Sequence, residues 1–193
     1  MIIVGVGVGP NMLTQEAIEA IQQASIVYGS SRAIELASKY IRCEARKIDN
    51  YKTLHLLPDD AVVLSTGDPM FSGLGKFAGK DDRIIPGISS LQVACVRLGV
   101  NLSDLAIITA HGRDPEPAKK ALVQELKLGK NIFMLPDASF GTGEVAAVLR
   151  ELKINAQIYT CENLGYPDER ISAGDVKIPP VVGSGMYCIM VVR

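Results

Sequence analysis

Five short runs in this chain combine residue types that can hold or transform a small molecule, and each follows an apolar run of strand length. The first is Gly5-Val6-Gly7-Val8-Gly9-Pro10. Residues without a Cβ let the main chain come close to a ligand or a neighbouring helix; a tight strand-to-loop turn is the plainer use. The run is not a dinucleotide fingerprint. Pro10 occupies the third glycine's place, and the next strand ends in Tyr28-Gly29 with no acid to hold a ribose, which disfavours a nicotinamide oxidoreductase. The second run spans Ser65-Thr66-Gly67-Asp68-Pro69-Met70-Phe71-Ser72-Gly73. Its small residues expose main-chain amides and carbonyls, while Asp68 either accepts from a ribose or ammonium or closes an Asx-turn. In Pro86-Gly87-Ile88-Ser89-Ser90 the serines stand at a helix start, where capping alone explains them. His111-Gly112-Arg113 sets an imidazole and a guanidinium at one strand end. A guanidinium holds a carboxylate two-pronged, so an anionic substrate competes there with an exposed polar pair. The last run, Cys161-Glu162-Asn163-Leu164-Gly165-Tyr166-Pro167-Asp168-Glu169-Arg170, either lines a cleft or forms a surface hairpin turning at Pro167-Asp168.

Positioning these runs falls to strands that alternate with helices, the pattern of an α/β protein with a mainly parallel sheet. Open α/β sheets bind ligands at the carboxyl ends of their strands, where all five runs lie. Residues 2–6 read as a buried first strand. Residues 14–24 read as an amphipathic helix carrying Ala17, Ile18, Ile21 and Ala24 on one face, with Thr14 as its cap. Strands follow at 25–28, 45–48, 61–65 and 83–85, then a helix at 89–98 that Gly99 closes. A second set begins with a strand at 105–109, a helix at 115–126 opened by Pro115, a strand at 131–135, a helix at 143–152 and a strand at 156–160. Two further strands, 169–173 and 186–192, break the alternation. The chain is thus expected to form two small α/β lobes, 1–102 and 103–193, with a cleft between them.

Composition narrows the chemistry. Of the 193 residues, 48% are apolar and 21% charged, enough for a sizeable core and far from a disordered composition. The net charge of −1 and the lack of a Lys/Arg run argue against nucleic acid. Cys43, Cys95, Cys161 and Cys188 are scattered, without a paired spacing or nearby His, so no metal site is expected and buried thiols are. No signal-peptide pattern opens the chain and no apolar run reaches membrane-spanning length, so a cytosolic protein with free thiols is the expectation.

Taken in order, G-V-G-V-G-P, T-G-D-P-M-F-S-G, P-G-I-S-S, H-G-R and C-E-N-L-G-Y-P-D-E-R resemble the tetrapyrrole methylase family across nearly the whole chain. The last two resemble its cobalt-precorrin-7 (carbon 5) methyltransferase branch. The resemblance implies two α/β lobes, a homodimer and a folded S-adenosylmethionine between the lobes. It implies cofactor contacts at Pro10, Thr66, Gly67, Asp68, Phe71, Ser89 and Ser90, and in the second lobe at Leu135, Asn163 and Leu164. The glycine-rich loop, with Gly7 and Gly9, would face the tetrapyrrole. A corrin precursor carries acetate and propionate carboxylates, for which Arg32, Lys76 and Arg113 are the candidate cations. Methyl transfer from a sulfonium needs mainly alignment and a dry site; if a proton must move, His111 is the candidate by its ordinary pKa. The chain departs from the family where Asn11 follows Pro10 in place of a G-P-G-D loop, and where Leu135-Pro136-Asp137 replaces the methionine-glycine of several relatives. Another ring position, a non-corrin substrate, or a sensor that binds the donor without turnover are the competing functions.

Overall fold

Thr14 has extended backbone and its hydroxyl accepts from the Ala17 amide at 3.1 Å, which starts helix α1 at Gln15–Gln22. Ser30 caps α2, Ser31–Ala37, through the Ala33 amide in the same way. Such caps satisfy amides that the first helical turn leaves unpaired. In the computed structural model, residues 1–48, 50–112 and 114–193 are described; Arg113 therefore lies outside the described residues. Two compact units result, Met1–Ser90 and Leu91–Arg193.

The first unit holds one five-stranded sheet in the order β3-β2-β4-β1-β5, built from β1 (Ile2–Gly5), β2 (Ile26–Gly29), β3 (Glu44–Lys47), β4 (Val62–Ser65) and β5 (Arg83–Ile85). Every pairing in it is parallel. Strands buried on both faces need apolar residues in succession, and β1, β2 and β4 have them, whereas the edge strand β3 is exposed throughout. Val4, Val27, Val62 and Leu64 pack on Ala17 and Ile21 of α1 and Ala33 and Ala37 of α2. On the other face Ile3, Tyr28 and Val63 pack with Leu54, Ala61, Leu74 and Phe77, from two 3-10 turns and a loop.

The second unit opens with helix α3, Ser90–Leu98, which ends at Gly99 in a left-handed conformation (φ 65°). Its sheet runs β6-β7-β10-β8-β9, from β6 (Leu105–Thr109), β7 (Asn131–Leu135), β8 (Gln157–Glu162), β9 (Arg170–Gly174) and β10 (Tyr187–Val192). Here the mainly parallel expectation fails: only β6–β7 is parallel, and β10 pairs antiparallel with β7 and β8, as β9 does with β8. The segment between β8 and β9 is too short for the crossover helix a parallel neighbour requires, so the chain turns straight back. Ile108, Ile132, Met134, Ile158 and Ile189 pack on Ala118, Leu122 and Leu126 of α4 (Pro115–Lys127) and Val145, Ala146 and Leu149 of α5 (Thr142–Glu151).

The division after Ser90 falls earlier than the expected 102/103 boundary. The reason is α3. Its Arg97 holds Glu169, beyond β8, at 2.6 Å, and its Cys95 lies close enough to Cys161 of β8 to feel its charge. A helix that reads as the close of the first lobe therefore packs as part of the second. Among the described residues no helix is long and apolar enough to cross a membrane.

Candidate functional site

In the first unit, three loops leave the carboxyl ends of the adjacent strands β4, β1 and β5, and main-chain bonds knit them together. Gly7 and Gly67 exchange hydrogen bonds at 3.2 and 2.8 Å, and the Val8 amide donates to the Ile88 carbonyl at 2.9 Å. The approach is so close that a Cβ on Gly87 would overlap the Gly67 carbonyl oxygen, and one on Gly5 would overlap the Gly87 amide. Gly7 and Gly67 also need the left-handed region, at φ 80° and 67°. These glycines thus meet one another.

Asp68 performs the Asx-turn expected as one alternative, its Oδ1 accepting from the Met70 amide at 2.8 Å. Its Oδ2 reaches further and accepts from the Gly87 amide at 3.0 Å, so the carboxylate also clips the β4 loop to the β5 loop. Gly7 and Gly67 lie beside this clip with the buried Ser89, whose Cα lies 4.0 Å from where a Gly67 Cβ would be; Gly9 and Pro10 follow in the β1 loop, and Thr66 precedes Gly67. Phe71 follows within the β4 loop, while Ser90 is already the first residue of α3. Asn11 adopts φ 61°, a conformation in which glycine is at home and asparagine is the best-tolerated substitute; this accounts for the G-P-N departure.

Arg32 is half-buried, and its Nη2 donates to the Val8 carbonyl, which braces the glycine-rich loop. Lys76 lies on the 3-10 turn Leu74–Phe77, exposed, its ammonium 5.0 Å from the centroid of the Phe77 ring.

The second unit gathers a different kind of site at the corresponding strand ends. Leu135 closes β7, its carbonyl accepting from Ala110 at 2.9 Å. Asp137 follows; it accepts from the Ser139 amide and hydroxyl at 3.2 and 3.0 Å and lies near His111 and the Gly112 amide. The Ser139 amide, then its hydroxyl, hold the Asp137 carboxyl below its ordinary range, with His111 adding to the effect. His111 and Asp137 are thus brought together.

The segment after β8 turns out to be bonded to itself. Glu162, 2% exposed, accepts from Arg170 at 2.9 and 2.6 Å on one oxygen and from the Gly183 and Ser184 amides at 2.8 and 2.7 Å on the other. Burial alone would push this carboxyl up; the Arg170 guanidinium and the two amides outweigh it and leave it lowered. Glu169 accepts from Arg97 at 2.6 Å and from the Gly165 amide at 2.7 Å, and the Arg97 hydrogen bond lowers its carboxyl against the effect of burial. Asn163, at φ 49°, donates to Asp168 and accepts from Ser184. Leu164 is buried. The run thus forms a turn whose Glu162, Asn163 and Glu169 side chains are each held by hydrogen bonds.

Reading the sequence did not pick out Glu162, Asp168, Arg170 or Ser184 as individually important. The acid and base eight positions apart were a usable signal for Glu162–Arg170; the Gly183 and Ser184 partners leave no local trace. Among the described residues no cluster of His, Cys, Asp and Glu could hold a metal, and all four cysteines are free.

The family model for tetrapyrrole (corrin/porphyrin) methylases matches residues 1–179. A probable cobalt-precorrin-7 C(5)-methyltransferase from Methanocaldococcus jannaschii is 36% identical over 192 residues, covering 91% of this chain and 89% of that protein. The crystal structure of a precorrin-6Y methylase of cobalamin biosynthesis from Archaeoglobus fulgidus superposes with a TM-score of 0.74 at 30% identity, over 100% of this chain and 97% of the other. A uroporphyrin-III C-methyl transferase from Thermus thermophilus, solved with S-adenosyl homocysteine, shares the fold at TM-score 0.74 and 19% identity, over 100% of this chain and 96% of its own.

Proposed function

Because this chain belongs to the tetrapyrrole (corrin/porphyrin) methylase family, we propose that it transfers a methyl group from S-adenosylmethionine to carbon 5 of a precorrin or cobalt-precorrin in cobalamin biosynthesis. The observation that carries this reading is the glycine-knit edge of the first unit, where loops from three adjacent strands form one rigid surface rich in main-chain donors and acceptors.

The chain's own residues fit the donor. In this reading Pro10, Thr66, Gly67, Asp68, Phe71, Ser89 and Ser90 contact the donor, the Asp68 carboxylate fixing the β4 loop to the β5 loop, and Leu135, Asn163 and Leu164 are read as contacts as well. When bound, S-adenosylmethionine supplies a methyl group on a sulfonium already activated for displacement. What remains for the protein is alignment: fixing two reactants in a near-attack arrangement can account for roughly 7 to 11 kcal/mol of barrier lowering. A surface held by backbone bonds and without a Cβ at its closest points does this without reorganising. Gly7 and Gly9 face the macrocycle in this reading. Arg32, Lys76 and Arg113 take its carboxylates, Arg32 also bracing the glycine-rich loop. Where the methylated carbon must release a proton, His111 is the group that accepts it, with the Asp137 carboxylate nearby.

The working unit is read as a homodimer in the cytosol, in keeping with four free thiols. Turnover with labelled S-adenosylmethionine and chemically defined precorrin-7 or cobalt-precorrin-7 tests the function directly. A carbon-5 methylated product and S-adenosylhomocysteine in equal amounts are expected. Binding of the donor without product would make the chain a sensor, and methylation elsewhere on the ring would move it to another branch.

A further inference from the structure

Asn163 lies in the left-handed region at φ 49°, where residues with a Cβ are strained and asparagine is best tolerated, and its side chain is anchored at both ends. The Nδ2 group donates to Asp168 Oδ2 at 2.7 Å, and Oδ1 accepts from the Ser184 hydroxyl at 2.8 Å. That pairing settles which way the amide points, because turning it over would set its oxygen against a carboxylate. Ser184 is itself held. Its amide donates to buried Glu162 at 2.7 Å, and its hydroxyl oxygen accepts from the Met186 amide at 3.2 Å.

The neighbouring peptide groups are also committed. The Asn163 amide donates to the Met186 carbonyl at 3.0 Å, the Asn163 carbonyl accepts from Tyr166 at 2.9 Å, and the Gly165 amide donates to Glu169 at 2.7 Å. Between them Leu164, only 4% exposed, makes no such main-chain bond among the described residues. Buried peptide groups are almost always paired, so a turn that commits the Asn163 amide and carbonyl and the Gly165 amide while leaving the Leu164 amide and carbonyl presents these to something else.

We propose that Asp168 and Ser184 are positioning residues for the donor site: by anchoring both ends of the Asn163 amide they hold the turn left-handed and aim the Leu164 peptide at S-adenosylmethionine. The inference rests on the donor reading given above. Neither side chain touches the donor; both act through Asn163.

Calorimetric titration of the whole chain with S-adenosylhomocysteine, alongside steady-state kinetics, tests it. Ser184→Ala and Asp168→Ala should each weaken binding about tenfold and raise the donor KM to match, with kcat at saturating donor within about twofold of the parent. Ser184→Thr, which keeps the hydroxyl, should restore binding. Asn163→Gly separates positioning from mere stability, since glycine takes the left-handed conformation without anchors. It should bind more tightly than Asn163→Ala, and adding Ser184→Ala to it should weaken binding less than about twofold further. If Ser184→Ala and Asp168→Ala fold and bind as the parent does, or lose as much in the glycine background, the inference is overturned. Should both fail to fold, Asn163→Ala against Asn163→Gly decides, equal affinity overturning it. A parent protein that binds no S-adenosylhomocysteine overturns the donor reading, and this inference with it.

Discussion

The strand-end loops of the two units are held by different means. In the first unit the β1, β4 and β5 loops are joined mostly by main chain to main chain, with glycines at Gly5, Gly67 and Gly87 where the backbones meet. In the second, the turn after β8 is joined by side chains: Glu162 to Arg170 and two amides, Glu169 to Arg97, Asn163 to Asp168 and Ser184. The contrast follows from the sheets. Parallel strands lead each loop away into a crossover, leaving neighbouring loops to meet edge to edge, whereas the antiparallel β8–β9 return brings acid and base side chains onto the same face. One edge is governed by volume and the other by charge, so the two should fail under different insults.

The largest effect is expected from volume. Gly87→Ala puts a methyl group onto the Gly67 carbonyl and should destabilise the first unit by about 3 kcal/mol or more, or prevent folding, as read by urea unfolding. A variant as stable as the parent would mean that the loops can separate freely. Next comes charge. Glu162→Gln leaves a buried amide before a guanidinium and two main-chain donors, and should cost about 2 kcal/mol, less than for a fully buried pair because Arg170 is half exposed.

Acid sharpens the same contrast. The folded-state carboxyls of Glu162 and Glu169 lie below their ordinary value of 4.5, so they bind protons less readily folded than unfolded. Their contribution is therefore present above about pH 4.5 and is lost as pH falls through the lowered folded values. Glu169→Gln should flatten the fall in melting temperature below that point, while Gly67→Ala should leave the shape of the profile unchanged. The smallest effect is expected from Thr160 in β8. Its hydroxyl is fully buried with no partner among the described residues, so Thr160→Val should raise stability by up to about 1 kcal/mol in the same unfolding assay.

Local signals in the sequence were strong where the physics is local. Thr14 capping α1, Pro115 opening α4, Gly99 closing α3 and the strands at Arg83–Ile85, Leu105–Thr109 and Asn131–Leu135 all appear where composition and period put them. Strand direction was not legible, because an apolar run reads the same whichever way its neighbour points; hence the wrong sheet type for β8, β9 and β10. The membership of α3 was hidden likewise, since its partners lie far along the chain at Cys161 and Glu169. For the site, the glycine and Asp68 runs were recognisable as loops with small residues at strand ends. That Asp68 also grips Gly87, or that Arg32 turns toward Val8, depends on which loops become neighbours.

The three touching glycines of the first unit also constrain how this surface can change over time. Because the space a side chain would need at Gly87 is taken by Gly67 and Gly5, and that at Gly5 by Gly87, neither Gly87 nor Gly5 can gain a methyl group alone, while Gly67 is bound to its left-handed backbone. Substitutions here must arrive together or with a shift of two loops at once. Diversification of what the enzyme accepts is thereby channelled away from this corner and toward Asn11, Met70 and Lys76, whose side chains are exposed.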